Sequence, residues 1–217
     1  MQLLSANIGK KRTQPKGDGL ETTGIYKMPA SGVVNITPSG IEQDFIGDQK
    51  NHGGPDQAIY VYGTADYDWW ARELGKTLEP GTFGENLTVS ELESGPLSIG
   101  DRLRVGAVTL EVTAPRTPCS TLAARMGDPK FAEKYRHAER PGVYCRVVEP
   151  GTVQAGDEAL RVPCVGETVS VLEMFRIHFQ RDKDEATLRR ILRATISVRA
   201  KASLEADLEK ALARREA

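Results

Sequence analysis

The residues equipped for chemistry gather around one cysteine, in Ala114-Pro115-Arg116-Thr117-Pro118-Cys119-Ser120. Two prolines fix φ and remove two backbone donors, so this stretch is expected to end the strand Leu110-Glu111-Val112-Thr113 and to form a stiff loop. Such a loop presents Cys119 at a defined point. The neighbouring Arg116 guanidinium favours the thiolate, which serves as a nucleophile or as a ligand for a soft metal. The competing reading is a small buried hydrophobe, and the residues alone leave both open.

A second chemical stretch, Asp48-Gln49-Lys50-Asn51-His52-Gly53-Gly54-Pro55-Asp56-Gln57-Ala58, runs into the apolar Ile59-Tyr60-Val61-Tyr62. Gly53 and Gly54 can adopt positive φ and bring backbone amides close to a ligand, although a glycine pair before proline is also an ordinary tight turn. His52 alone is as compatible with a structural role as with a ligand role. The basic run Lys10-Lys11-Arg12 after Gly9 is either a solvated turn or the source of a phosphate contact, with Lys10 the best placed.

Composition bounds the partners. A chain of 217 residues with formal net charge −1 is one large domain, or a domain with an appendage. It lacks the charge excess that draws a protein to duplex nucleic acid or an anionic membrane. The first ten residues do not form a signal peptide and no apolar run spans a bilayer, so a soluble cytoplasmic protein is expected. Three cysteines, Cys119, Cys145 and Cys164, are an odd number without CxxC spacing, which suits a reducing compartment. Cys145 falls in a strand pattern and reads as core; Cys164 has no assigned role. Three dispersed histidines give no zinc signature.

The elements that must position these residues are short strands. Gln2 to Ile8, Gly24 to Lys27, Val33 to Ile36, Ile59 to Tyr62 and Val143 to Val148 carry strand patterns, with Gly17-Asp18-Gly19 read as loop. A hairpin is expected about Gly106, a turn at Glu149 to Thr152, and a last strand from Glu158 to Val162. Helices are expected from Thr64, as N-cap, to Leu74; from Ser120 to Met126; and from Asp128 and Pro129 to about His137. Strands at this spacing indicate an all-β barrel or sandwich. Past Pro163 the period changes: a capping box at Ser170 opens one helix, Asp182 to Ala194 forms a second, and Ser197 to about Arg215 a third. The expected domains are residues 1–162 and a three-helix appendage, 163–217. From Arg176 onward a mild excess of Lys and Arg over Asp and Glu suits a solvated face, a protein partner or a homodimer contact rather than nucleic acid.

Taken in order, His-Gly-Gly-Pro-Asp-Gln-Ala at 52–58, Phe-Gly-Glu-Asn-Leu at 83–87, Ile-Gly-Asp-Arg-Leu at 99–103 and Pro-Arg-Thr-Pro-Cys at 115–119 resemble the MOSC domain family, named for the C-terminal domain of molybdenum cofactor sulfurase. The likeness extends over nearly the whole chain. It is greatest to the bacterial subfamily with a helical tail that includes hydroxylaminopurine-resistance proteins. The resemblance implies a mainly β, MOSC-type barrel with peripheral helices and a molybdenum cofactor, molybdopterin, in a loop-lined site. Cys119 would be the one protein ligand of the molybdenum. Lys10, Lys27, Arg116 and the amides near Gly53 and Gly54 would meet the cofactor phosphate, and His52, Asp56 and Asn86 the pterin edge. Thr117 joins the cofactor-binding set, and Lys50 serves either phosphate or solvent.

The implied activity is reduction of small N-hydroxylated compounds such as hydroxylaminopurine. The sequence has neither a GxGxxG after a strand nor a ferredoxin-like cysteine cluster, so electrons would come from a separate flavin or iron–sulfur reductase, docking at the tail or near Trp69-Trp70. Two alternatives stay open: a cofactor carrier or sulfur-handling module without its own catalysis, and a barrel used only for interaction.

Overall fold

The computed structural model describes residues 1–216, with side chains through Arg214. The chain runs β1 (Leu3–Gly9), β2 (Arg12–Lys16), β3 (Gly19–Thr23), β4 (Lys27–Pro29), β5 (Val34–Thr37), β6 (Gly40–Ile41) and a one-turn α1 (Gln49–His52). A 3-10 turn at Pro55–Gln57 leads to β7 (Ile59–Gly63), α2 (Thr64–Leu74), β8 (Leu87–Val89), β9 (Arg102–Val105) and β10 (Val108–Pro115). Then follow α3 (Ser120–Met126), α4 (Phe131–Ala138), β11 (Val143–Glu149), β12 (Gly151–Val153), β13 (Ala159–Val162), α5 (Val171–His178), α6 (Glu185–Ile191) and α7 (Val198–Glu216).

Eight strands form one sheet in the order β13-β9-β10-β11-β7-β8-β1-β4, with β12-β5-β6 and β2-β3 as smaller sheets. Neighbouring strands in the large sheet pair antiparallel except β7 with β8. Parallel neighbours need a crossover, and α2 supplies it. The start of β1 returns to the entry of β13: Leu3 N–H donates to Asp157 O, Gly156 N–H to Leu3 O and Ala159 N–H to Met1 O, at 2.8, 2.8 and 3.0 Å. These bonds bring β1, one strand in from the β4 edge, beside β13 at the other edge of the sheet.

Two apolar clusters hold the fold. The larger one joins barrel residues such as Leu97, Ile99, Leu110 and Val112 to Val171, Met174, Ile177, Leu188, Ile191 and Leu204 of the three C-terminal helices. The helices thus cover the barrel and share its core. Replacing the fully buried Leu188 by Ala would cost about 2–5 kcal/mol. The second cluster is aromatic, built on Tyr60, Tyr62, Trp70, Phe83, Phe131 and Tyr135.

Several elements depart from the sequence pattern for local reasons. The segment read as turn and loop after Gly9 is the β2–β3 hairpin, invisible to an apolar alternation because the buried residue of β2 is Gln14. The strand before the cysteine loop does not stop at Thr113: a register shift between Val112 and Ala114 lets β10 continue to Pro115, paired with Val143, where only a terminal donor is lost. Gly63, not Thr64, caps α2; Thr64 Oγ1 instead accepts from Glu91 N–H at 2.9 Å. Asp128 and Pro129 form a turn ahead of α4, with Asp128 Oδ1 accepting from Lys130 N–H at 2.9 Å. The expected turn at Glu149 to Thr152 narrows to Pro150, because Gly151–Val153 pairs with β5 as β12. The strand expected from Gly24 starts only at Lys27. The caps of the tail match their residues: Ser170 accepts from Glu173 N–H and Asp184 from Thr187 N–H.

Candidate functional site

Cys119 occupies the N-cap of α3, in extended conformation at φ −139° and ψ 162°. Its Sγ lies 3.5 Å from Nη2 of Arg116. Arg116 is 4% exposed, and its guanidinium carbon sits 5.6 Å from the Tyr60 ring centre and 5.5 Å from that of Tyr135. Aromatic faces tolerate the cation but offer it no hydrogen bond. Its Nη1 is buried with no hydrogen-bond partner in the protein. Burial pushes the half-buried Cys119 thiol up, yet the His52 imidazole, the Arg116 guanidinium and the Leu122 backbone amide outweigh it and bring the pKa down to about 6. The sulfur is therefore mainly thiolate at neutral pH. Cys145 is the contrast: fully buried in β11, its thiol is pushed well up by burial.

The opposite wall is an ion-pair cluster. Lys27 Nζ contacts Asp44 Oδ2, with side chains only 8% and 4% exposed. Asp44 also accepts from Gly9 N–H at 2.7 Å and from Asn86 Nδ2 at 2.9 Å, while Asn86 Oδ1 accepts from Tyr60 N–H at 3.1 Å. Both ends of the Asn86 amide are thus committed to the protein. Burial lowers the Lys27 pKa, against the pull of Asp44. Glu85, one residue earlier, is fully buried and accepts from Tyr67 Oη, Gly81 N–H and Thr88 Oγ1 at 2.5, 2.6 and 2.8 Å. The Phe-Gly-Glu-Asn-Leu motif is in this sense a loop clamp. At Gly24 a Cβ would lie 1.7 Å from Phe45 O, so the two backbones forming this wall touch directly.

The third side is the turn carrying His52. Asp48 caps α1 by accepting from Asn51 N–H at 3.1 Å, and His52 Nδ1 lies 3.3 Å from Tyr144 Oη. Gly53 is extended, whereas Gly54 has φ +95°, the conformation that turns the chain into Pro55.

A cleft of about 650 Å³, including the space open to solvent, lies between these walls. Of the residues singled out in the sequence, Cys119, Arg116, His52, Asn86 and Lys27 line it; Lys10, Lys50, Gly53, Gly54, Asp56 and Thr117 do not. Lys10 and Lys50 are exposed. Asp56 instead accepts from Val198 N–H at 2.7 Å and pairs with Arg146 at 3.2 Å. Thr117 lines a separate groove against α5 and α7. The sequence reading missed Asp44, Glu21, Tyr60, Tyr144 and Gln57 as lining residues. Tyr60 and Tyr144 sat in strand patterns and were legible as core; Asp44 and Glu21 carried no motif signal at all.

Comparisons with known proteins identify the family. The MOSC domain family model matches residues 48–159, so the chain belongs to the MOSC domain family. Among individual relatives it is similar to the uncharacterized protein YflK of Bacillus subtilis, 35% identical over 88% of this chain and 86% of that one. It is similar to protein YiiM of Escherichia coli, 31% identical over 86% of this chain and 83% of that one. The crystal structure of that YiiM superposes with a TM-score of 0.75 at 25% identity, covering 97% of this chain and 94% of the other. A protein named reductase from Gibberella moniliformis is 31% identical over 79% of this chain, which spans 29% of that protein's length.

Proposed function

We propose that this MOSC-domain protein holds a molybdenum cofactor in the cleft, with Cys119 as metal ligand. We further propose that it reduces small N-hydroxylated compounds with electrons from a separate reductase in the cytoplasm. The observation that carries this reading is the pairing of Cys119 with Arg116: a sulfur poised as thiolate, beside a buried guanidinium with one nitrogen unpartnered, at the edge of a cleft. A thiolate suits a soft metal, and a buried donor without an acceptor costs free energy until an oxygen-rich ligand supplies one. The residues present therefore fit such a cofactor. The fungal relative's name supports an oxidoreductase class.

When bound, the molybdenum would supply two-electron redox chemistry and a place for the oxygen leaving the substrate. The protein's own residues do the rest. Arg116 supplies fixed positive charge, with its Nη1 free to donate to a cofactor oxygen. Lys27 is already balanced by Asp44, so it offers a donor rather than net charge. Converting an N-hydroxyl compound to its amine and water consumes two electrons and two protons. His52, hydrogen-bonded through Nδ1 to Tyr144 Oη, is the lining group suited to passing a proton.

The test is protein purified from a host that makes molybdopterin, analysed for molybdenum and pterin phosphate. The same protein is then assayed on hydroxylaminopurine with a chemically reduced viologen as donor. Bound cofactor with turnover is the expected result. Bound cofactor without turnover would leave a carrier, and absence of both metal and pterin would overturn the reading.

A further inference from the structure

The turn that carries His52 is tied to the C-terminal helix. Arg199, the second residue of α7, donates through Nη1 to Asn51 O at 2.9 Å and to Gln57 Oε1 at 2.7 Å. Its Nη2 donates to Lys50 O and, at 3.5 Å, to Gly53 O. One planar guanidinium thus gathers three carbonyls of a tight turn, those of Lys50, Asn51 and Gly53, and the Gln57 side chain that ends it. A fork of fixed geometry is suited to this, where a single ammonium would reach fewer acceptors. Asp56 makes the reciprocal tie, accepting from Val198 N–H at 2.7 Å and pairing with Arg146. Arg146 in turn donates to Thr195 O at 3.3 Å, just ahead of α7.

These ties add to the Asp48 cap and to the bond from Thr113 Oγ1 to Asp56 O at 2.5 Å. α1 is a single turn with no buried residue, and Gly54 stands at its exit with φ +95°. Yet the same turn places His52 beside Tyr144 and in the wall shared with Cys119. Carbonyls at the end of so short a helix need partners, and α7 provides them from about 140 residues away in sequence.

We propose that Arg199 is a positioning residue: the C-terminal helix, through its guanidinium, sets the His52 turn against the cysteine side of the cleft. The tail is then a working wall of the site. The inference concerns the same cleft but does not need the cofactor reading, because both measurements below use full-length protein without cofactor.

The first measurement is amide hydrogen exchange in Arg199→Met, which keeps an unbranched apolar stem and removes every donor. Exchange across residues 49–57 is expected to quicken at least tenfold, with β10 and β11 unchanged. Arg199→Lys is expected to recover part of the protection. The second is the imidazole NMR signal of His52, with His137 on α4 as internal control: in Arg199→Met the His52 signal is expected to shift or broaden and that of His137 to stay. Unchanged exchange at 49–57 with an unmoved His52 signal would overturn the proposal. So would equal loss of protection throughout the barrel, since it would make Arg199 a general stabiliser. Should Arg199→Met fail to fold, Asp56→Asn, which weakens the reciprocal tie, is read by the same two signals with the same outcomes.

Discussion

The two inner walls of the cleft handle buried charge in opposite ways. At Lys27, Asp44 and Asn86 every charge and amide is matched: the ammonium meets a carboxylate, which also takes Gly9 N–H and the Asn86 amide. At Cys119 and Arg116 the matching is incomplete, with one guanidinium nitrogen lacking an acceptor and the sulfur half open to the cleft. A completed network fixes a wall in place, while an incomplete one keeps free energy in reserve for whatever completes it. Motif residues from one family pattern are therefore divided between a completed network and an incomplete one, and residue type does not say which is which.

The sharpest way to break this contrast is Cys119→Ala. It is expected to abolish molybdenum retention while leaving the thermal midpoint close to wild type, checked by elemental analysis and calorimetry side by side. Retained metal would dissolve the distinction between the walls. Asp44→Ala should do the reverse, since it strands a buried ammonium and an amide. A loss of about 3–5 kcal/mol by chemical denaturation is expected, against little change for a wall that merely lines the cleft.

A third test sharpens the incomplete wall. The rate of Cys119 alkylation should rise with pH through a midpoint near 6, and Arg116→Met should move that midpoint upward towards an ordinary thiol. The sign for stability follows. The thiol sits lower in the folded than in the unfolded chain, so the thiolate's contribution is complete above the unfolded value and is lost as pH falls through about 6. The smallest effect is expected at Lys10. It is exposed and outside the cleft, so Lys10→Ala should leave cofactor content within error of wild type.

The barrel and the tail differ in a related way. From the change of period at Pro163 the helices read as an appendage, whereas in the structure Val171, Met174, Leu188 and Leu204 belong to the same apolar cluster as the strands. Truncation after Val162 is accordingly expected to expose that cluster and give aggregation-prone protein, measured by size exclusion. The sequence could show that these faces were apolar; it could not show what they covered.

Among the described residues no helix is long and apolar enough to cross a membrane.

What the sequence determined alone were the features set by near neighbours: the α3 helix beginning at Ser120, the Ser170 cap, the hairpin turn at Gly106, and a cysteine beside an arginine on a proline-framed bend. Each rests on backbone sterics or on contacts a few residues apart. Tertiary structure decided the rest. It matched Lys27 with Asp44, turned Asn86 and Glu85 to holding a loop, drew Asp56 to α7, and left Arg116 short of one acceptor. Those outcomes depend on which distant groups meet in a low-dielectric interior, where a partner gained or missed changes what a charge can do.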